Sequence, residues 1–179
     1  MTDLPTLETP RLLLRPPIAE DFEGWAAFMA DGPASHFVGG PQARPTAWRG
    51  FLQVAGAWTI QGFSMFSVIE KSTGRWIGRL GPWVPEGWPG FEVGWGIIPQ
   101  AQRKGYAMEG ATAAIDWAIG HLGWPNVIHC IDPENVASQS VARRLGSSIQ
   151  RRTNLPAPYD HIIVDVWSQT RDEWLGRSR

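Results

Sequence analysis

The 179-residue chain has one cysteine, Cys130, only two tyrosines and almost no excess charge. A lone cysteine excludes an internal disulfide and fits a reducing, cytoplasmic setting. Lys plus Arg number 16 and Asp plus Glu 17, for a net charge of -1, so nothing draws the whole molecule toward nucleic acid or an anionic membrane. Neither is expected as a partner, and any anion site must be local. No apolar run approaches the ~18 residues that span a bilayer. The opening MTDLPTLETPR lacks the apolar core of a signal peptide. His36, His121, His129 and His161 show no metal-ligand spacing, so no metal is expected. Neither GxxxxGK[ST] nor GxGxxG occurs, which excludes the nucleotide P-loop and the dinucleotide fingerprint. There is no internal repeat, low-complexity tract or composition break, so a single domain over residues 1–179 is expected.

What is present is a globular composition, with 43% hydrophobic residues, enough for a sizeable core. RLLLRP reads as a short strand stopped by Pro16 and Pro17. Helical spacing follows over Asp21 to Met29. Residues 31–45 are rich in Gly and Pro and read as loop, and a second helix runs from Thr46, a plausible N-cap, to Ile60. The period then changes. FSMFSVIE and RWIGRLGPW read as strands joined by the turn KSTG, and FEVGWGII as a third. Ala107, Ala111, Ile115, Ala118 and Leu122 line one face of a helix. NVIHCI is a strand, NVASQSVARRLG a helix stopped by Gly146, and SSIQRRT and HIIVDVWS are closing strands. The expected fold is α/β, of the α+β kind: a mixed, mostly antiparallel twisted sheet of about seven strands with flanking helices. Its central parallel βαβ unit spans residues 92–131.

The stretch IIPQAQRKGYAMEGA, Ile97 to Ala111, joins the third of these strands to its helix. Pro99 ends the strand, Gly105 permits a tight turn, and Arg103 and Lys104 add charge. A helix start offers unpaired N–H groups and a partial positive charge, which together suit a phosphate. The residues read either as an anion cradle or as a plain strand-to-helix turn with solvated charges.

Gln102-Arg103-Lys104-Gly105-Tyr106-Ala107 resembles the Q/R-x-x-G-x-G/A acyl-CoA signature of the GNAT acetyltransferase superfamily. FEVGWGIIP resembles the family's strand before that loop, and NVASQSVARRLG its Asn- and Ser-containing helix. LETPRLLLRPPIAEDFEGW resembles the opening of the branch that holds the ribosomal-protein N-terminal (alanine) acetyltransferases. The resemblance implies a GNAT-like domain using acetyl-CoA as co-substrate and an amine as acceptor. It implies that backbone groups near Ile97 and Ile98 pair with the pantetheine amides. Gln102 and the N–H groups from Arg103 through Lys104, Gly105, Tyr106 and Ala107 would then hold the pyrophosphate. Asn135 would meet the pantetheine arm, Ser138 would sit near the thioester sulfur, and Arg103, Lys104 and Arg143 or Arg144 would reach the outer phosphates.

Acetyl transfer to an amine requires a base, because an alkylammonium titrates near 10. It also requires polarisation of the thioester carbonyl and a proton for the departing thiolate. Glu92 is the candidate base, since a carboxylate between Phe91 and Val93 is costly unless functional or paired; the other reading is a structural glutamate bonded to a neighbouring loop. Ser138 is the candidate acid toward the thiolate, or a capping serine at its helix start, or both. The tyrosine that many relatives place after the Leu-Gly closing this helix is replaced by Ser147 and Ser148. Tyr106 reads as packing, His129 as a hydrogen-bonded core histidine, and Cys130 not as a nucleophile. Tyr159, Asp160 and His161 sit on the acceptor side or at an ordinary strand end. Trp83, Trp88 and Trp95 line an acceptor groove or pack in the core. Trp48 and Arg49 are further acceptor-side candidates, and exposed tryptophans would suit a homodimer.

Three readings follow: an N-acetyltransferase acting by direct transfer on a protein N-terminus or small amine, a non-catalytic acyl-CoA-binding protein of the same fold, and an interaction domain without CoA. The intact Gln102–Ala107 turn argues against the last.

Overall fold

A computed structural model describes residues 4–177. Among the described residues, eight strands form one sheet in the order β1-β2-β3-β4-β5-β6-β8-β7. They are β1 (Leu7–Glu8), β2 (Leu12–Arg15), β3 (Phe66–Glu70), β4 (Arg75–Trp83), β5 (Glu92–Ile97), β6 (Asn126–Ile131), β7 (Ser148–Asn154) and β8 (Ile163–Thr170). Every neighbouring pair is antiparallel except β5 and β6, so the mixed sheet with one parallel step is as the sequence implies. The eighth strand is β1, two residues long, paired to β2 through Leu7↔Leu14 and too short to leave a period in the sequence.

The helices are α1 (Phe22–Ala30), α2 (Gly32–Ser35), α3 (Arg44–Ile60), α4 (Tyr106–Gly120), α5 (Val136–Leu145) and α6 (Arg171–Gly176). Three differ from the sequence reading. Helix α6 follows β8 where the sequence reading has no helix: Thr170 caps it, its hydroxyl accepting from the Glu173 N–H while the Glu173 carboxylate accepts from the Thr170 N–H. The Gly- and Pro-rich stretch holds the one-turn α2, because Asp31 caps it by accepting from the Ala34 N–H and a proline stands in its first turn. Helix α3 starts at Arg44 behind Ala43, not at a Thr46 cap; Pro45, fixed at a helical φ, opens it. The KSTG turn stands where expected, between β3 and β4. No described helix is long and apolar enough to cross a membrane.

The sheet separates two apolar clusters. On one face α4 lays Ala111, Ala114, Ile115 and Ala118 against Leu12, Leu14, Leu80 and Val93, all fully buried. On the other, Phe22, Trp25 and Phe28 of α1 and Phe51 and Val54 of α3 pack with Met65. The second cluster is pinned by Asp21, which receives both guanidinium ends of Arg15 (2.7 and 2.8 Å), the Ser67 hydroxyl (2.7 Å) and the Ile18 N–H (3.0 Å). Burial pushes its carboxyl up, but these donors outweigh that and hold it below the usual carboxylate range.

Candidate active site

Strands β4 and β5 pair over six positions, from Gly78↔Ile97 to Trp83↔Glu92, and β6 and β8 over six more. Between β5 and β6 the register holds only Glu92↔Ile128, and beyond it the strands part. The Ile98 N–H donates to the Ile77 carbonyl (2.9 Å), so even-numbered residues of β5 bond toward β4 and odd-numbered ones face the gap. There the Val93 carbonyl meets the His129 ring at 2.7 Å and the Ile97 carbonyl accepts from the Gln102 amide at 2.9 Å. The Trp95 backbone and the Ile97 N–H face the gap with no described strand opposite. Ile98 does not belong to this edge: its N–H serves Ile77 and its carbonyl accepts from the Ala101 N–H at 2.9 Å. The edge of β5 that faces the gap is therefore Trp95 and Ile97, where Ile97 and Ile98 are the expected pair.

The 102–107 turn continues from this edge. Arg103 holds φ 60 and Gly105 φ 83, so two left-handed residues alternate with ordinary ones, and Gly105 caps α4. Such alternation gathers successive N–H groups into a concavity that takes an anion. The Glu109 N–H donates to the Gly105 carbonyl (3.0 Å), so the N–H groups before it have no partner within the helix. Residues 102–105 are exposed, Tyr106 is buried and Ala107 half-buried.

The turn is braced from both sides. Arg11 donates to the Lys104 carbonyl (2.9 Å) and to Glu109 (2.6 Å), and lies 4.6 Å over the Tyr106 ring. Glu109 also receives the Thr9 hydroxyl at 2.6 Å. From the other side the Tyr106 hydroxyl donates to Glu70 at 2.6 Å. Arg144 borders the same surface groove as Arg11 and Gly105, whereas Arg143 is engaged by Gln139 (3.0 Å) and the Trp167 ring.

At the other end of β5 a cavity of about 300 Å³ opens over the sheet face covered by α1 and α3. Glu92, 6% exposed, borders it. The Trp88 indole N–H donates to one carboxylate oxygen and the Cys130 backbone N–H to the other at 3.1 Å. Burial pushes the Glu92 carboxyl up to about 7, although Trp88, Cys130 and the Arg79 charge oppose the shift. Burial, with the Glu92 charge beside it, pushes the Cys130 thiol far up, so it stays protonated. Gly94 keeps space beside the carboxylate, since a Cβ there would come within 3.3 Å of Oε1 and 3.0 Å of the Met65 methyl.

Ser138 stands across the gap. Its helix is capped by Asn135, whose side-chain oxygen accepts from the Ser138 N–H at 3.0 Å, so Ser138 is not the cap. Its hydroxyl accepts from the Trp95 indole N–H at 3.2 Å and is left able to donate. His129 is 1% exposed. A carbonyl only accepts, so the Nδ1–H donates to Val93 and Nε2 is an acceptor, with no partner among the described residues. Burial lowers His129 to about 4, against the Val93 hydrogen bond, and keeps the ring neutral.

Asn135, Ser138, Trp83, Trp88, Trp95 and Tyr159 border the cavity with Glu92. Trp48 and Arg49 do not: Trp48 packs on Phe22 and Phe51, and α3 presents Gly50, Gln53 and Val54 instead. Asp160 and His161 also lie outside it. Ser147, at the place of the missing tyrosine, is buried and receives the Gln169 amide (3.0 Å). The sequence reading missed Arg11 and Glu109, which no local pattern links, and Arg79. The signal for Arg79 is a charge inside an otherwise apolar and glycine-containing strand.

A parted parallel strand pair, an N–H-lined turn at a helix start and a buried glutamate together set an expectation that comparison with known proteins meets. Residues 11–148 match the family described as "Acetyltransferase (GNAT) domain". An acetyltransferase from Agrobacterium tumefaciens str. C58 superposes with a TM-score of 0.82 at 32% identity, covering 94% of this chain and 96% of that one. The ribosomal-protein-S5-alanine acetyltransferase of Vibrio fischeri shares the fold at 18% identity, with a TM-score of 0.72 over 94% of this chain and 98% of that one. Among curated proteins, the uncharacterized N-acetyltransferase YnaD of Bacillus subtilis (strain 168) is 31% identical over 81 residues, 45% of this chain. The chain spans about half the length of the curated relatives it matches, 48% for YnaD and 58% for YkkB of the same organism. With most of its length matched by the family and its sheet superposing on a solved member, the chain belongs to the GNAT acetyltransferases.

Proposed function

We propose that the protein is an N-acetyltransferase that moves the acetyl group of acetyl-CoA directly to a primary amine. The carrying observation is Glu92, a buried carboxyl held at about 7 where the β5–β6 gap meets the cavity. A carboxyl tuned near neutrality is suited to take a proton from an amine, whether directly or through one water.

Acetyl-CoA, the co-substrate of the family, would supply the thioester carbonyl. This chain's residues fit it. The N–H groups of 103–107 take the pyrophosphate, and the unpaired Trp95 and Ile97 edge meets the pantetheine amides. The neutral His129 Nε2 offers an acceptor to an amide N–H. Glu92 receives the amine proton. A backbone N–H of the β5 edge, at Trp95 or Ile97, faces the oxygen on which charge develops. The Ser138 hydroxyl, polarised by the Trp95 indole donating to it, protonates the thiolate. A C–N bond forms, the C–S bond breaks, the amine loses one proton and the thiol gains one.

The test is thiol release from acetyl-CoA across amines of several classes, with mass measurement of the product. Amine-dependent release with one acetyl group added supports the reading. Tight acetyl-CoA binding without transfer to any amine would replace it with a non-catalytic carrier, the reading that Ser147 in place of the tyrosine acid favours.

A further inference from the structure

We propose that the acceptor carries a carboxylate beside its amine, and that Arg79 with Trp25 holds that carboxylate. The amine half rests on the acetyl-transfer reading; the carboxylate half rests on the cavity alone.

Arg79 and Glu92 lie on the same face of adjacent strands. The register pairs Arg79 with Gly96 and Trp83 with Glu92, and directly opposed residues share a face. Between them the facing pair is Gly81 and Gly94, neither of which puts a side chain of its own between the two charged residues; the Met65 methyl and a Glu92 oxygen lie beside Gly94. The Cα offset along β5 from Gly96 to Glu92 is four residues, roughly 13 Å. Both side chains border the one cavity. A cavity of about 300 Å³ is at the small end for ligand sites, and His129, Asn135 and Ser138, given above to the co-substrate, border it too, so the space left for the acceptor suits a compact molecule.

The Arg79 flank is short of acceptors. Arg11, Arg15, Arg44 and Arg152 each end on a carboxylate. Arg79 has no ion pair among the described residues; its hydrogen bond goes to the Met65 sulfur (2.9 Å), a weak acceptor. Its Nε is buried without a partner, and so is the indole N–H of Trp25, whose ring lies 5.0 Å from the guanidinium carbon. Both residues border the cavity, and neither the Arg79 Nε–H nor the Trp25 indole N–H has an acceptor among the described residues. Glu92 does not supply one: its oxygens accept from Trp88 and Cys130 and neither is within ion-pair distance of Arg79. A ligand carboxylate completes this flank through the charge-assisted geometry that arginine favours. A cation at one end and a carboxylate at the other match a zwitterion, and the tryptophans that border the cavity suit an apolar side chain. This selects a free amino acid over the N-terminus of a protein, which carries no adjacent carboxylate.

The experiment compares apolar and aromatic amino acids, each with its amide and its decarboxylated amine. Binding to the full chain is read by quenching of tryptophan fluorescence, since Trp25, Trp83 and Trp88 border the cavity. At least one amino acid should bind about 10- to 100-fold more tightly than its amide and amine, the worth of a hydrogen-bonded charge pair. The preference should vanish in Arg79→Met and survive in part in Arg79→Lys. Equal binding across each set, no binding by any amino acid, or a preference that persists in Arg79→Met overturns the proposal. The wild-type comparison decides even if Arg79→Met does not fold. If Arg79 served only to set Glu92, its replacement would shift the pH profile for every acceptor alike and leave the acid-to-amide ratio unchanged. Thiol release on the same panel separates the two readings: amino acids that bind without releasing thiol sink acetyl transfer and leave the carboxylate site standing.

Discussion

The two ends of β5 solve different problems with different materials. Past Ile97 the chain makes an exposed turn whose chemistry is backbone N–H, with side chains such as Arg11 and Glu109 serving as struts. At Glu92 the chemistry is buried side chains, joined by the Cys130 backbone N–H, brought together from α1, β4, β5, β6 and the loop before β5. A phosphate can be held by any residues that reach the right φ, so that end is encoded in six consecutive positions. A proton acceptor tuned to about 7 needs burial, which only the assembled fold provides. The contrast predicts that mutations at the two ends separate turnover from co-substrate binding.

The largest effect belongs to Glu92→Gln. The amide keeps the shape but cannot accept the amine proton, so the rate should fall by roughly 10²–10⁴-fold while acetyl-CoA affinity stays near wild type. In the wild type the rate should rise with pH up to about 7 and then level, as Glu92 ionises. The mutant should lose that inflection and narrow its deficit at high pH, where more acceptor arrives deprotonated. Stability carries an independent sign. Glu92 is raised in the folded state, so the stability linked to its proton is present below its ordinary value and lost as pH rises through about 7. Glu92→Gln should therefore gain in melting temperature relative to wild type between pH 5 and pH 8. Wild-type turnover in the mutant would leave Glu92 as a strut for the Trp88 loop.

Gly105→Glu attacks the other end. It puts a carboxylate into the N–H cradle, so a like charge repels the phosphate that the N–H groups would otherwise bind. Acetyl-CoA affinity should drop on the order of 100-fold, the worth of a charge-assisted hydrogen bond forfeited together with that repulsion. Gly105 holds φ 83, so some strain accompanies any side chain; Gly105→Ala reports that part alone. Titration calorimetry of both variants separates charge from strain, and unchanged affinity in Gly105→Glu removes the turn from the binding site. Arg11→Met tests the struts. It deletes the bonds to Lys104 and Glu109, so affinity should fall about tenfold and the melting temperature by about 2–4 °C, on the scale of one such interaction. Loss of stability with affinity intact would show a turn that holds its shape unaided.

The same contrast explains what could be read before folding. The turn was legible because Pro99, Gly105 and the helical period after them are neighbours in sequence. The sheet was legible because β3 to β6 and β8 are long enough to show a period, whereas β1 has two residues and α2 one turn. Glu92 was legible as a charge in apolar company, but its neighbours were not: Trp88 reaches it by a loop, Cys130 through a parallel register of one pair. Arg79 carries the signal of a charge inside an apolar strand, but its pairing with Trp25, distant in sequence, shows only in the fold, where both lack an acceptor. Ile98 shows the limit of motif transfer, since a one-residue shift in where β5 hands over to its turn decides which N–H is spent on Ile77.

The smallest effect sharpens the comparison most finely, because it asks whether the exposed cations near the turn matter at all. Arg144 borders the groove beside Gly105 and has no salt bridge among the described residues, while Arg143 is occupied by Gln139 and Trp167. Arg144→Ala and Lys104→Ala should each weaken acetyl-CoA binding by about 1 kcal/mol or less, a few-fold, since exposed charge pairs are worth little. What distinguishes them from Gly105→Glu is salt. Screening shortens from about 30 Å at 0.01 M to about 3 Å at 1 M, so the deficit of both alanine variants should shrink toward zero over that range. The N–H hydrogen bonds are short and directional, so most of the wild-type affinity should persist in high salt. Calorimetric titrations of wild type and the two variants across that range give the answer. If wild-type affinity collapses with salt as far as it falls in Gly105→Glu, the side chains hold the phosphates and the backbone cradle is only a turn.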